Sequence, residues 1–334
     1  MCRASSLARF QLSTSIMADA ELGVTGLQTE GAEIAARSPL QLFWRRFRRD
    51  RVAIVSLGFI GLLIVIAVAA PLVVSIVGVP GPDVQNLSLT DAFGAPLGPS
   101  SAHPFGVDEL GRDVLARVIY GTRISLEVGI FGTLIATVIG TVLGLIAGFY
   151  RGVIDTLLSR FTDIVLSFPV LVLGLGLGAA CGVRGCAGGL IQPGLGTVLF
   201  IIAIVNWTYV YRIVRGQVLS LREKDFVEAA RALGASDRRI IFREILPNLI
   251  APLIVYSSLL IPLNILLEAG LSFLGVGIRA PTASWGQMIA DATNIFQTAW
   301  WYMTFPGVAL LLTVLAFNLL GDGLQDALNP RTGR

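Results

Sequence analysis

The lone histidine and two nearby aspartates are the residues best suited to acid–base chemistry. His103, Asp108 and Asp113 lie in the stretch H-P-F-G-V-D-E-L-G-R-D-V. An imidazole and a carboxylate can exchange protons near neutral pH. No nucleophile or metal-binding set accompanies them, so the pattern favours a structural role over catalysis. We therefore predict that the chain has no catalytic residue.

Nucleotide chemistry would require a phosphate loop, G-x-x-x-x-G-K-[ST], whose lysine contacts the phosphates. The chain contains one lysine, Lys224, in the sequence R-E-K-D. The glycine-rich run G-L-G-L-G at residues 174–178 lies inside an apolar stretch, which is typical of helix packing and not of a nucleotide loop. We therefore predict that the chain binds no cofactor and does not hydrolyse ATP by this route.

The cysteines offer redox or metal chemistry. Cys181 and Cys186 flank the short loop C-G-V-R-G-C, and Cys2 lies near the N-terminus. A pair five residues apart is compatible with a disulfide in an oxidising compartment and equally with two free thiols, and the sequence leaves both open. A zinc site is excluded because the one histidine is far away in sequence, so we predict no metal site.

The composition indicates which elements position these residues. The chain has 334 residues, 54% hydrophobic and 14% charged, with a mean hydropathy of +0.76. This is too apolar for a soluble domain. Six stretches without a charged residue are long enough to cross a bilayer as helices; they cover residues 52–70, 128–149, 164–181, 194–211, 249–267 and 300–320. The sequence therefore predicts an all-α polytopic membrane protein with six transmembrane helices.

Basic residues predict the orientation of these spans, because cytoplasmic loops are enriched in lysine and arginine. With the N-terminus in the cytoplasm, 20 of the 25 basic residues lie inside. We therefore predict an inner-membrane protein with both termini in the cytoplasm. The predicted segments are a disordered tail (1–38), a first-span segment (39–79), an extracytoplasmic segment (80–122), a core (123–328) with a cytoplasmic loop (212–248), and a tail (329–334).

Small side chains and prolines indicate how the spans pack and where they bend. Small residues recur every fourth position in the second span, at Gly132, Ala136, Gly140, Gly144 and Gly148. They let another helix approach closely, and we favour packing within the chain over a seam between subunits. Pro169, Pro252 and Pro262 lie inside the third and fifth spans and predict helix bends.

An amphipathic stretch at residues 225–248 lies between two apolar segments. Helical spacing places Phe226, Ala229, Ala230 and Leu233 on one face. The two alanines keep that face shallow enough to lie against another element. The alternative is an amphipathic helix lying on lipid.

The second half of this stretch predicts a second helix. Gly234 ends the first helix as a C-cap residue, and Ser236 or Asp237 caps the next. Pro247 is expected to end the unit before the fifth span. The apolar side of the second helix is predicted at Ile240, Ile241 and Ile245.

Residues 225–248 resemble the E-A-A loop of bacterial ABC importer permeases. The pattern is E-A-A, three residues, G, nine residues, I, one residue, L-P. The residues in register are Glu228, Ala229, Ala230, Gly234, Leu246 and Pro247. Glu244 stands at the isoleucine position, with Ile245 beside it.

Three other regions are similar to the C-type permeases of dipeptide, oligopeptide and nickel importers. The stretch at 103–114 resembles their outer segment. E-A-G-L-S-F-L-G-V-G at 268–277, with P-T-A-S-W-G at 281–286, resembles the region after their fifth span. N-L-L-G-D-G-L-Q-D-A-L-N-P-R at 318–331 resembles their C-terminus.

This resemblance implies a type I ABC importer transmembrane domain that forms a pathway for di- or oligopeptides. A nickel or small-solute importer of the same group is the near alternative. The implied partners are a B-type permease, two ABC ATPase subunits that use ATP and Mg, an extracytoplasmic peptide-binding protein and membrane lipid, without nucleic acid. The implied ATPase-coupling residues are Glu228, Ala229, Ala230, Gly234, Asp237, Arg238, Ile241, Phe242, Leu246 and Pro247.

A secondary transporter is the rival from another class. It would need coupling carboxylates or discontinuous helices near the middle of the membrane. The six span cores contain no charge, which counts against it. Glu127 and Glu268 border spans, where each either lines a cavity or lies at the membrane edge.

Overall fold

The computed structural model describes residues 39–91, 94–182 and 184–328. It divides into an N-terminal unit ending at Arg45 and a main unit, Arg46–Arg334. The predicted tails at 1–38 and 329–334 lie outside the described residues.

All the long secondary-structure elements of the described residues are helices. The α-helices are α1 Pro39–Phe47, α2 Arg51–Val68, α3 Ala70–Val77, α4 Val114–Tyr150, α5 Gly152–Ser167, α6 Val170–Cys181, α7 Leu195–Leu221, α8 Asp225–Ala232, α9 Asp237–Arg239, α10 Leu246–Phe273, α11 Trp285–Ala292 and α12 Trp300–Leu328. A π-helical segment, Ile240–Ile245, joins α9 to α10.

Five of these helices are long and apolar enough to cross a membrane, counting Asp237–Phe273 as one helix. The bent pair α5 and α6 makes a sixth crossing if its two halves form one span. The prediction of an all-α membrane protein is confirmed, with five of the six predicted spans present as single long helices and the remaining one present as the bent pair α5 and α6.

The third span differs from the expectation of one helix over residues 164–181. It breaks between Ser167 and Val170, and the two halves are inclined by 88°. Phe168 is extended, at φ −88° and ψ 135°, because the residue before a proline is driven out of the helical region. Pro169 is the N-cap residue of α6, where its missing N–H costs no helical hydrogen bond.

The helix ends also extend beyond the apolar cores. α4 begins at Val114, so residues 114–122 of the predicted extracytoplasmic segment form the first turns of this helix. Asp113 caps it, with its carboxylate accepting a hydrogen bond of 2.8 Å from the amide of Ala116. Charged residues near a helix end can pair along the helix, as Arg123 and Glu127 do at 2.9 Å.

The centre of the bundle is the contact between α4 and α7, which run side by side in the same direction. A methyl group added at Gly140 would lie 2.5 Å from Val210 Cβ and 2.7 Å from the carbonyl of Trp207. Gly132, Gly144 and Gly148 meet Ile202, Val214 and Val218 in the same way. The four glycines therefore face α7 of the same chain, where the close approach leaves no room for a larger side chain.

Candidate functional site

The E-A-A segment, residues 225–248, folds as a helix, a glycine turn and a second helix. Gly234 follows α8 with φ +78°, the left-handed conformation that favours glycine. The amides of Gly234 and Ala235 donate to the carbonyls of Arg231 and Ala230, both at 3.0 Å. The turn thereby satisfies carbonyls at the end of α8 and fixes the direction in which the second helix leaves.

The second helix of the segment continues into the fifth span without interruption, so the expectation that Pro247 ends the unit is wrong. Pro247 lies in the first turn of α10, where a missing N–H is tolerated. The π-helical segment before it accounts for the buried isoleucines. Ile240 and Ile245, five residues apart, are both fully buried, since i→i+5 bonding brings such residues closer to one face.

One face of the segment packs onto the membrane helices. Val227, Ile240 and Ile245 are fully buried in a cluster that includes Val218 and Leu249. Val227, which the sequence pattern did not single out, is thus the buried anchor of α8. Apolar burial on this side makes the segment a platform carried rigidly by α7 and α10.

The opposite face of the segment is open. Leu233 is 89% exposed and Phe242 is 63% exposed. Of the residues predicted to contact an ATPase, Ile241 is buried and Ala230 and Leu246 are partly buried. The others are exposed, namely Glu228, Ala229, Gly234, Asp237, Arg238, Phe242 and Pro247. Large apolar side chains in the open, rimmed by charges, are typical of a protein contact surface.

Ion pairs join the ends of α5 and α7 next to this platform. Asp155 accepts two hydrogen bonds from Arg215, from Nε and, at 2.7 Å, from Nη2. Arg212 Nη2 lies 2.7 Å from Asp163. A bidentate arginine–carboxylate pair fixes orientation as well as distance. The broken span is therefore tied to the helix that leads into the E-A-A segment.

Arg222 closes the same corner from the end of α7. Its Nη1 donates to the carbonyl of Phe149, and its Nε lies 3.5 Å from Glu223. Burial, together with the charge of Arg151, lowers the pKa of the Arg222 guanidinium. The side chain binds a helix-terminal carbonyl of α4, which anchors α7 to α4 below the glycine contact.

The polar cluster at the other end of the bundle is structural. His103 Nδ1 lies 2.8 Å from Asp113 Oδ2, and Arg112 Nε lies 2.6 Å from Asp108 Oδ2. All four side chains are buried. Asp113 also caps α4, so both of its carboxylate oxygens hold local structure.

Two carboxyl groups near this cluster have raised pKa values. Burial raises the pKa of Asp291, and the nearby charge of Asp108 adds to the effect. Burial also raises the pKa of Glu109, with the charge of Asp291 as the next cause. Tyr302 donates a hydrogen bond of 3.3 Å to Asp291. These acids crowd negative charge into one partly buried corner.

The structure shows the contacts of the two cysteines and of the two carboxylates that border spans. Cys181 and Cys186 form a disulfide. Glu127 pairs with Arg123, and both side chains line a cavity between α2 and α4. Glu268 is fully buried and accepts hydrogen bonds from Ser272 at 2.7 Å and Ser125 at 3.4 Å. In the described part of the chain, no group of three or more histidine, cysteine, aspartate or glutamate residues could hold a metal ion.

A cavity of about 430 Å³ lies among α6, α7 and α10 and contains polar groups that sequence reasoning missed. Asn206 and Asn264 are hydrogen-bonded to each other, and Asn264 Nδ2 donates to Thr133 Oγ1 at 2.8 Å. Tyr209 and Tyr256 also line it. The available signal was two amide side chains inside otherwise apolar spans, since such groups are costly in a membrane.

Comparison with protein families gives two matches. The model for inner membrane components of binding-protein-dependent transport systems matches residues 140–334. The model for the N-terminal TM domain of oligopeptide transport permease C matches residues 38–96.

Individual relatives match along most of their length. The dipeptide transport system permease protein DppC of Alkalihalophilus pseudofirmus is 42% identical over 299 residues, covering 90% of this chain and 92% of that protein. The glutathione transport system permease protein GsiD of Pectobacterium atrosepticum is 41% identical over 297 residues, covering 89% and 93%. A chain of the inward-facing MetNI methionine ABC transporter has a similar fold, with a TM-score of 0.53 and 19% identity, covering 64% of this chain and 96% of that chain.

Proposed function

Because the chain belongs to the inner-membrane components of binding-protein-dependent transport systems, a family in which ATPase activity resides in partner subunits, we propose that it forms the membrane pathway of an importer for di- and oligopeptides. The relatives named for dipeptide and glutathione transport support the peptide-like substrate. Dipeptides and glutathione are both small molecules with amide-linked backbones.

The open face of the E-A-A segment carries the second part of the proposal. Leu233 and Phe242 are exposed on a platform whose other face is buried. A cytoplasmic ATPase subunit that contacts these side chains would transmit its movement through α9 into α10, because Asp237–Phe273 is one helix. The open–closed motion of the ATPases is thereby converted into movement of the spans.

The orientation and the remaining partners complete the proposal. The E-A-A segment and both termini face the cytoplasm, where 20 of the 25 basic residues then lie. A B-type permease completes the pathway, two ABC ATPase subunits bind the E-A-A segments, and an extracytoplasmic binding protein delivers the peptide at the disulfide end.

The test is a charge placed on the open face. Leu233→Asp adds a carboxylate to a position that is 89% exposed, so folding is preserved and contact with the ATPase is weakened. We expect co-purification of the ATPase subunits to fall at least tenfold, with peptide uptake falling in parallel. Truncating or charging a central contact residue costs about 2 kcal/mol or more, which corresponds to this factor.

Leu190→Asp is the matched control, because Leu190 is 85% exposed at the disulfide end of the bundle. It should leave ATPase association unchanged. Normal association of Leu233→Asp would refute the docking assignment. Uptake of labelled Ni²⁺ in place of labelled dipeptide by the wild-type complex would refute the peptide assignment.

A further inference from the structure

The break in the third span opens a set of unused backbone donors toward a cavity. α6 begins at Val170 with no side-chain cap, and its first helical bond runs from the amide of Leu173 to the carbonyl of Pro169. The amides of the first helical turn therefore have no helical acceptor. Val170 lines the cavity formed with α7 and α10, so the positive end of the α6 dipole lies at its wall.

A buried acceptor lines the same cavity. Asn206 is 8% exposed, and its Nδ2 donates to Asn264 Oδ1. Asn264 is in turn fixed by Thr133 through a 2.8 Å hydrogen bond. This chain orients the Asn206 amide and occupies its donor. Its carbonyl Oδ1 accepts no hydrogen bond from any described residue, so it is free to accept one from a molecule in the cavity.

The remaining wall is uncharged. Tyr209, 37% exposed, and Tyr256 add hydroxyl groups that can donate or accept. The other lining residues are leucines. The volume of about 430 Å³ lies in the range of ligand cavities, roughly 300–1,000 Å³.

We propose that this cavity is the part of the translocation pathway that contacts the substrate and that it recognises the main-chain amide of a peptide. The peptide carbonyl or carboxylate accepts from the amides at the start of α6, and the peptide N–H donates to Asn206 Oδ1. This inference rests on the proposed import of peptides. Because the wall carries no charge, it reads the backbone common to all peptides and leaves side-chain selection elsewhere.

The first experiment measures recognition in the complete complex. Wild type and Asn206→Leu are reconstituted with the ATPases and saturating loaded binding protein. Uptake of a dipeptide is compared with uptake of its analogue methylated at the peptide nitrogen. Wild type should prefer the unmethylated peptide, and Asn206→Leu should reduce that preference about fivefold, as expected for loss of one hydrogen bond.

Thr141→Val is the control for this measurement. Thr141 has a buried hydroxyl without a partner, and it lines a different cavity, between α4 and the E-A-A segment. The Thr141→Val complex should prefer the unmethylated peptide as strongly as wild type does. If Asn206→Leu kept the wild-type preference for the unmethylated peptide, the inference would be overturned. Tyr209→Phe removes only a hydroxyl group from the exposed wall. It should lower the uptake rate without affecting assembly.

The second experiment is independent of the substrate. In a Cys2→Ser background with the disulfide intact, Tyr209→Cys should react with a water-soluble thiol reagent in the assembled complex. Leu134→Cys is the control, because Leu134 is 55% exposed on the side of α4 away from α7. Equal labelling of both cysteines would overturn the inference. Selective labelling of Tyr209→Cys without peptide uptake would refute the proposed substrate and leave the water-lined pathway standing.

Discussion

At the scale of single residues, backbone conformation and partial burial decide which substitutions should change transport or stability. Gly234 adopts φ +78° in open space, so its constraint is conformational and not steric. Left-handed backbone is costly for residues with a β-carbon and most costly for branched ones. The identity of this glycine therefore follows from the turn between α8 and α9.

Gly234→Val should reduce peptide uptake while leaving expression and membrane insertion intact. The branched side chain adds about 1–2 kcal/mol of strain to the left-handed turn, which reorients α9 relative to α8. The measurement is uptake together with co-purification of the ATPases. Gly216→Val is the control, because Gly216 lies in open space within α7 at ordinary helical φ. Normal uptake by Gly234→Val would show that this turn does not couple the ATPase to the spans.

Asp291→Asn should stabilise the protein at neutral and basic pH. The pKa of Asp291 is raised mainly by burial, so its folded-state pKa exceeds the unfolded value. The native state is then favoured below the unfolded pKa and loses stability as pH rises through the folded pKa. Asparagine removes that loss and still accepts from Tyr302. We expect the Tm in detergent to rise by about 1–3 °C at pH 8 and by less at pH 4; an equal gain at both pH values would contradict the electrostatic cause.

At the scale of elements, the contact between α4 and α7 organises the bundle. The two helices run in parallel, and the small residues of α4 at positions 132, 140, 144 and 148 meet side chains seventy positions later along α7. Close approach gains dispersion contacts that apolar side chains alone cannot gain against lipid. The same pair carries Arg222 to the carbonyl of Phe149, which ties the E-A-A segment to this contact.

Gly140→Leu should destabilise this contact by at least 1–3 kcal/mol, the usual cost of overpacking. Even the first carbon of the new side chain would lie 2.7 Å from the Trp207 carbonyl, and a backbone atom cannot move aside cheaply. Detergent-solubilised protein should unfold several degrees lower than wild type. Gly58→Leu is the control, since nothing lies within 4 Å of a methyl group there. Equal unfolding temperatures would show that α4 and α7 tolerate separation.

At the scale of the whole molecule, the two ends of the bundle have different chemistry. One end holds the arginine-rich E-A-A segment and the pairs with Asp155 and Asp163. The other holds the disulfide and the buried His103–Asp113 pair. Membrane proteins keep excess arginine in the cytoplasm and form disulfides outside it, so both features support one orientation.

Thiol labelling tests this orientation. After mild reduction, a membrane-impermeant reagent should label Cys181 and Cys186 in cells with an intact inner membrane. Without reduction, labelling should be absent because the two thiols are bridged. Asp237→Cys, on the exposed E-A-A face, should react only after permeabilisation. Labelling in the reverse order would invert the proposed topology.

The sequence by itself determined the membrane class, the approximate spans and the family. Apolar length, the basic residues and the E-A-A register are local properties, and each is readable without knowing which helices touch. The glycine turn at Gly234 also followed locally, because few residues adopt its backbone conformation.

The tertiary structure decided what depends on contacts between distant segments. Pairing between Cys181 and Cys186 was open because the same spacing suits free thiols. The inward face of α8 required the position of Val218, since Val227 and Phe226 are equally apolar in sequence. The cavity required Asn206 and Asn264, 58 positions apart, to meet on a wall shared with Val170, the first residue of α6. Such meetings follow from how helices cross, and residue spacing along one helix does not contain that information.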